Sequence, residues 1–338
     1  MTVAVVIVNY RTAELTLDCV AALAGERATM PDLRVVVVDG GSGDGSAEMM
    51  RTGLAADDWV ELLALDLNGG FGWANNQGIL HLLQSGPPPD FIHLLNPDCV
   101  IERGAVAALH TELIAHPECA AAGSQLINPD GTKSGSAFRF PSVAREFFRG
   151  CQMNRIGRMF GVEEGVIFSD APVVVEWATG ASVMLRVEAL RRVGLFDTGF
   201  FLYFEEVELM HRLTRAGWTI RFVPDSRVMH IGGAATGVTE GELQNRSGIP
   251  DYLFASRRRF FARACGSTAA RRATQAWLAG NRLLRLLKSV GAMKKRPAAD
   301  AERVGMLRHG IEPDLFDVTA AITRCDDAPG IPPAWRQQ

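Results

Sequence analysis

The sequence predicts an α/β fold: a Rossmann-like, mostly parallel central sheet flanked by helices, with a C-terminal α-helical extension. Three observations carry this. Apolar runs at residues 3–8, 33–38, 60–65 and 90–95 alternate with segments of helical spacing, the pattern of strands buried on both faces and joined by helical crossovers. Every loop after a strand in this half is rich in Gly, Asn or Asp, as expected where ligands collect at the carboxyl ends of strands. Residues 251–297 hold twelve Lys or Arg against one Asp, interleaved with Phe, Trp and Leu, which marks the extension.

In chain order, residues 3–8 form the first strand and 13–24 a helix. Residues 33–38 form a second buried strand, closed by Asp39 and followed by Gly40-Gly41-Ser42-Gly43-Asp44-Gly45-Ser46. A short helix runs through Met50, a third strand lies near residues 60–65, and Asn68-Gly69-Gly70-Phe71-Gly72 leads into a helix over 74–83. The strand at 90–95 ends on Asn96-Pro97-Asp98. Later strands are expected at 173–177, 183–186 and 219–229, with a helix over 205–216. With 338 residues, 47% of them hydrophobic, the chain can bury a large core. One domain over residues 1–240, divided near residue 125, fits better than two equal domains. Residues 241–338 then form a basic helical extension and tail, with 329–338 a loose end.

Asp98 is the first candidate metal ligand, because a carboxylate at a central strand end can hold a hard divalent cation that also bridges phosphates. A plain turn is the competing reading. Asn128-Pro129-Asp130-Gly131 repeats the same three residues between two short extended runs and reads as a hairpin turn with no chemistry. Asp39 could accept the imino N–H of a pyrimidine, since an ionised carboxylate only accepts; turn and helix-cap roles compete for Asp39 and are favoured for Asp44. A dinucleotide fold is disfavoured, because Gly41, Gly43 and Gly45 follow the second strand and lack the required third offset. No Gly-Lys-Ser or Gly-Lys-Thr occurs, so no Walker loop is present.

Taken together, Val5-Val6-Ile7-Val8-Asn9-Tyr10, Val37-Val38-Asp39-Gly40-Gly41-Ser42, Asn68-Gly69-Gly70-Phe71-Gly72-Trp73-Ala74-Asn75-Asn76 and Leu94-Leu95-Asn96-Pro97-Asp98 resemble glycosyltransferase family 2. The rhamnosyltransferase-like branch is the nearest match. The resemblance continues through Gly180-Ala181-Ser182, Gly194-Leu195-Phe196-Asp197, Phe204-Glu205-Glu206-Val207-Glu208 and His230-Ile231-Gly232-Gly233, with an echo in Ser256-Arg257-Arg258-Arg259-Phe260. It implies a GT-A fold with a nucleotide-sugar half (about 1–125) and an acceptor half (about 126–240). It also implies a dTDP- or UDP-linked sugar donor, a divalent cation (Mn2+ or Mg2+), and transfer with inversion to a saccharide or lipid-linked saccharide. Val8, Asn9, Tyr10, Asp39, Asn68, Gly72, Asn76 and Asn96 are the positions it assigns to the nucleotide. Gly180, Ala181 and Glu205 lie by the same resemblance beside the donor sugar and acceptor, Asp98 and His230 hold the metal, and dTDP-rhamnose is the favoured donor.

Glu206 is the candidate general base. Helical spacing puts Met210 and Leu213 on its face and sets Glu208 aside for an exposed pair with Arg212. An inward carboxylate at a helix start could deprotonate an acceptor hydroxyl or simply favour the helix N-terminus. The family usually has Glu-Asp where this chain has Glu205-Glu206, and an Asp in many relatives where this chain has Asn96. Those departures leave a second reading open, a catalytically idle GT-A domain that binds nucleotide sugar or glycan as an assembly partner. Sugar-1-phosphate nucleotidylyltransferases are excluded by Asn9-Tyr10-Arg11-Thr12, which is not their Gly-rich Arg-Leu signature. Trp177 is read as a core aromatic rather than a sugar platform, and Arg139 as a surface charge or an anion contact.

The six cysteines make no CxxC pair or metal spacing. The chain enters a strand at once, without a signal peptide or a bilayer-spanning run, so cytoplasm is the expected compartment. The net charge of −3 hides a local +11 over residues 251–297, from twelve basic residues less one Asp, and hence −14 elsewhere. Arg257-Arg258-Arg259, Arg271-Arg272, Arg282, Arg285 and Lys288, set among Phe260-Phe261, Trp277 and Leu283 to Leu287, suit an anionic membrane surface. Helices packed on the domain with solvated charges are the plainer alternative, and nucleic acid is not expected, since no reading motif accompanies the basic tract.

Overall fold

The structure is a computed structural model that describes residues 1–232, 249–290, 298–310 and 318–337; Gly233 and the basic residues Lys294, Lys295 and Arg296 lie outside them. The first half runs β1 (Val3–Asn9), α1 (Ala13–Ala24), β2 (Arg34–Asp39), α2 (Ser46–Gly53), β3 (Val60–Ala64), α3 (Phe71–Gln84), β4 (Phe91–Leu95), β5 (Cys99–Ile101), α4 (Ala105–Ala115) and β6 (Cys119–Ile127). Then come β7 (Ala137–Phe138), α5 (Val143–Cys151), α6 (Asn154–Met159), β8 (Val166–Ile167), β9 (Val173–Val175), β10 (Trp177–Ala178), β11 (Ser182–Arg186), α7 (Val187–Val193), α8 (Glu205–Arg215) and β12 (Thr219–His230). Helices α9 (Asp251–Cys265), α10 (Ser267–Ser289) and α11 (Ala298–His309) follow.

The main sheet has the order β3-β2-β1-β4-β11-β6-β12-β5, with β9 added on β12. Strands β1 to β4 are parallel, as are β6 and β12, while β11 is inserted antiparallel between β4 and β6. The expected mostly parallel sheet flanked by helices is therefore present. Alternation explains why β1 reads as an unbroken apolar run: Ala4 and Val6 face Ile79 and Leu80 of α3, whereas Val5 and Ile7 face Cys19, Val20 and Leu23 of α1. Helix α3 lies close on the sheet because Gly78 has no side chain; a Cβ there would come within 2.8 Å of Val6 and 2.9 Å of Val38.

Two strand registers position the site. Ser182 pairs with Leu95 across β11 and β4, and the Asn96 N–H donates to the Ala181 carbonyl at 2.8 Å. His230 pairs with Cys99 across β12 and β5. Asn96-Pro97-Asp98, Gly180-Ala181 and His230 thus gather at one edge. Asn128 to Thr132 forms the expected turn, closed by an Asn128 N–H to Thr132 carbonyl bond of 2.8 Å.

The extension packs against the sheet-bearing half. Phe260 and Phe261 of α9 and Ala270 and Ala273 of α10 share one apolar cluster with Phe200 and Val207, and Phe254, Trp277 and Met306 tie α9, α10 and α11 together. Burial takes Arg257, Arg259, Phe260, Phe261 and Trp277 out of the expected membrane face. Arg257 donates to Glu146 (Nη2 to Oε2, 2.5 Å), and Arg259 donates to Asp197 at 2.7 Å, all four residues being buried. The outward basic positions are Arg271, Arg272, Arg282 and Arg285, with Leu286 62% and Val290 70% exposed beside them. The loose tail is corrected as well. Within it the Gly330 N–H donates to Gln77 Oε1 at 2.7 Å and the Trp335 N–H donates to the Thr198 carbonyl at 3.2 Å, and just before it the Leu195 N–H donates to the Thr323 carbonyl at 2.8 Å. Among the described residues no helix is long and apolar enough to cross a membrane.

Candidate active site

A cavity of about 710 Å³ opens at the edge where those registers meet, a size that suits a small-molecule ligand. Val8, Tyr10, Asn68, Asn96, Asp98, Gly180, Ala181, Glu205, Glu206 and His230 all line it, so most of the expected site residues come together. Asp39, Asn9, Gly72 and Asn76 stand behind the wall instead.

Asp98 and His230 meet at one corner of the cavity. The Asp98 Oδ1 lies 3.3 Å from His230 Nε2, and the Ile231 N–H donates to the Asp98 carbonyl at 3.1 Å. Ligand atoms of Asp98, Cys99 and His230 lie within 4.8 Å of one another. The Cys99 Sγ, however, faces the Ala181 carbonyl at 3.5 Å, and burial pushes its thiol well above the ordinary value. The useful donors are thus one carboxylate and one imidazole, a set that fits Mn2+ or Mg2+ completed by ligand oxygens. Asn96 contributes a buried Oδ1 without a protein partner next to His230, its Nδ2 being 3.5 Å from His230 Nε2.

The side of the cavity formed by the ends of β1 and β2 rests on a buried polar knot. Asp39 Oδ1 accepts from Asn9 Nδ2 at 2.7 Å and from Ser42 Oγ at 2.6 Å, and its Oδ2 accepts from the Ser42 N–H at 3.1 Å. Asn9 Oδ1 in turn accepts from Thr12 N–H, Thr12 Oγ1 and Thr16 Oγ1, each at 3.1 Å. The expected direct contact through Asn9 is therefore corrected: its side chain is spent on orienting Asp39. Asn76 is corrected in the same way. Its Oδ1 accepts from the Phe196 N–H, and its Nδ2 donates to Phe196 O and Thr323 Oγ1, all at 2.9 Å. Gly72 is a packing position, where a Cβ would lie 3.1 Å from Phe196 and 3.4 Å from Glu205.

The opposite wall is the start of α8. Tyr203 and Phe204 both take left-handed backbone (φ 68° each), a strain of about 1–3 kcal/mol apiece for such residues, and they turn the chain so that Glu205 and Glu206 enter the cavity. Glu205 is 2% exposed, with Oε2 unpartnered. Burial, and then the neighbouring Glu206, push its carboxyl well above the usual range. Burial also raises half-buried Glu206 to about 7, which suits a group that must take up a proton near neutrality. Gly180 leaves room beside it, since a Cβ there would sit 3.5 Å from the Glu206 Cβ. Glu208 does pair with Arg212, at 2.8 and 2.9 Å. The expected exposure of that pair is wrong: Glu208 is 2% exposed, because Arg212 also donates to the Val193 and Leu195 carbonyls and draws the pair into the core.

Sequence reasoning missed several wall residues. Phe138, Tyr203 and Tyr252 line the cavity, as does Trp177, whose ring stacks on Phe138 with centroids 4.2 Å apart and whose Nε1–H donates to the Arg139 carbonyl at 3.1 Å. Tyr252 stacks on Tyr203 at 6.1 Å. The tandem Phe-Phe-Leu-Tyr-Phe run from residue 200 to 204 was the available signal, since a packed core rarely needs a phenol beside a carboxylate pair.

Comparison with known proteins bears on this geometry. The family model described as "Glycosyltransferase like family 2" matches residues 1–259. An N-acetylglucosaminyl-diphospho-decaprenol L-rhamnosyltransferase of Mycobacterium tuberculosis is 30% identical over 224 residues, 62% of this chain and 70% of that one. The rhamnosyltransferase WbbL of Escherichia coli is 28% identical over 174 residues, 48% of this chain and 60% of that one. Among solved structures, a mannosyltransferase of Pyrobaculum calidifontis in complex with GDP-Man and Mn2+ superposes with a TM-score of 0.53 at 17% identity, covering 92% of this chain and 81% of that one. At that identity the likeness speaks to fold alone.

Proposed function

Since the chain belongs to glycosyltransferase-like family 2, we propose that it is an inverting, cation-assisted glycosyltransferase that moves rhamnose or another deoxyhexose from a dTDP- or UDP-linked donor to a saccharide hydroxyl. The acceptor in this reading is lipid-linked, which the decaprenol-linked substrate in the name of the M. tuberculosis relative supports, and it is met at the cytoplasmic face of a membrane. One observation supports the proposal: a single cavity is lined by Asp98 and His230, 3.3 Å apart, and by Glu206, whose carboxyl is raised to about 7.

The residues divide the work. Val8, Tyr10 and Gly40 form the wall for the nucleotide, and Asp39, held by Asn9 and Ser42 behind that wall, fixes the turn that carries Gly40. Asp98 and His230 hold the cation, which when bound supplies positive charge for the departing diphosphate. Glu206, as carboxylate, takes the proton of the acceptor hydroxyl while that oxygen bonds to the anomeric carbon. The bond from that carbon to the diphosphate oxygen breaks, and the nucleoside diphosphate leaves with the electron pair. Glu205, whose buried Oε2 has no protein partner, is placed to hydrogen-bond a sugar hydroxyl.

Incubation of the purified protein with a panel of nucleotide sugars and Mn2+ or Mg2+, with release of nucleoside diphosphate as the readout, tests the reading. The expected result is slow metal-dependent hydrolysis of one deoxyhexose donor and faster turnover once a saccharide acceptor is added. Tight binding of a donor without any turnover would favour a catalytically idle binding domain.

A further inference from the structure

Residues 318–337 lie beyond the family match and line none of the cavity, yet they reach both loops of its wall. The Trp335 Nε1–H donates to the Gly69 carbonyl at 2.9 Å, and its ring packs edge-on against Phe201 with centroids 4.9 Å apart. Those two loops also meet each other. The Phe71 N–H donates to the Phe201 carbonyl at 3.1 Å, and a Cβ on Gly70 would fall 2.1 Å from that same oxygen. One loop supplies Asn68, Gly70 and Phe71 to the cavity, and the other supplies Phe201 to Tyr203 and leads straight into Glu205 and Glu206.

The strap has its own anchors apart from this contact. The Trp73 Nε1–H donates to the Ile331 carbonyl at 2.7 Å, and the Gly330 N–H donates to Gln77 Oε1 at 2.7 Å. Trp335 is therefore not needed to hold the strap down. Its indole instead joins the loop at the head of α3 to the loop at the head of α8. We propose that Trp335 is a positioning residue, which acts through Gly69 and Phe201 to set the distance between the donor-side wall and the carboxylates of the acceptor side. Its consequence for rate rests on the glycosyl-transfer reading.

Misplacement of reacting groups by about 1 Å can cost on the order of 10²-fold in rate. Trp335→Ala, which removes both contacts, should lower kcat about tenfold or more with a smaller rise in donor KM, because Asn68 stands on the braced loop while Val8, Tyr10, Asp98 and His230 stand on other elements. Trp335→Phe keeps a ring against Phe201 and loses the N–H, so it should recover part of kcat. Amide exchange should quicken at Phe71 in the alanine variant and stay parental in β1 and β4.

Parental kcat in Trp335→Ala, or unchanged exchange at Phe71, overturns the proposal. If the alanine variant does not fold, Trp335→Phe decides: a lowered kcat at the parental melting temperature supports the brace, and a parental kcat overturns it. A parent with no turnover on any donor would defeat the glycosyl-transfer reading, while exchange at Phe71 would still decide whether the brace exists.

Discussion

Asp98 Oδ1 lies 3.3 Å from His230 Nε2 because β5 and β12 pair antiparallel with Cys99 opposite His230. A strand-end carboxylate and a strand-end imidazole far apart in the chain thereby become one donor set.

Loss of either donor should uncouple nucleotide binding from metal. Asp98→Ala is expected to abolish the Mn2+-dependent part of donor affinity in calorimetry, and His230→Ala to weaken it in the same direction. Equal donor affinity for Asp98→Ala and parent in Mn2+ would remove Asp98 from the metal site.

A base contributes mainly in the transition state, so Glu206→Gln should lower turnover by roughly 10²-fold or more with little change in donor affinity. Glu206→Asp restores the residue common in relatives but shortens the reach by one methylene in a cavity shaped around Glu; reduced, measurable activity is expected. Near-parental turnover of the glutamine variant would shift the role to Glu205.

The pH profile follows from the carboxyl raised to about 7. Glu206 acts only when ionised, so turnover should fall as pH drops through about 7. Stability runs the other way. Between the ordinary carboxylate value of 4.5 and about 7 the folded chain keeps a proton that the unfolded chain has lost, and this contribution to stability declines as pH rises through that window. Denaturant midpoints of parent and Glu206→Gln should therefore diverge in favour of the variant as pH goes from 5 to 8. A gap that stays constant would show that Glu206 titrates as an ordinary surface carboxyl.

Arg259 and Asp197 form a buried pair, with side chains 5% and 0% exposed. Removing one partner leaves the other charge buried and uncompensated, which costs about 3–5 kcal/mol. Arg259→Ala should show a loss of that size in urea unfolding. A shift under about 1 kcal/mol would mean that Arg263, 3.6 Å from Asp197 Oδ2, takes over as partner.

Membrane contact, if it occurs, falls to the outer face of α10. Arg271, Arg272, Arg282 and Arg285 point outward there with Leu283 and Leu286, and each basic side chain adds about 1 kcal/mol near an anionic surface. Sedimentation with anionic vesicles at low salt should pellet the parent, and the double change Arg282→Glu, Arg285→Glu should release it. A parent that stays in the supernatant makes a soluble acceptor the better reading.

The local sequence was sufficient for whatever depends on one strand or one loop. Apolar runs disclosed doubly buried strands, because period and run length report how many faces are covered. Asn96-Pro97-Asp98 and Glu205-Glu206 stood out as cavity candidates, and all five residues line it, because a carboxylate at a strand end or on the inward side of a helix start needs a reason. Only the tertiary structure decided what required a distant partner. Helical spacing could not tell that Arg257 and Arg259 turn inward, since the carboxylates that draw them in, Glu146 and Asp197, lie on other elements. Nor could it tell that Asn9 and Asn76 are spent behind the wall, or that the supposed tail holds the cavity loops through Trp335. A buried polar group is stable only with its hydrogen-bond partner in place, and the partner's position is a property of the packed fold.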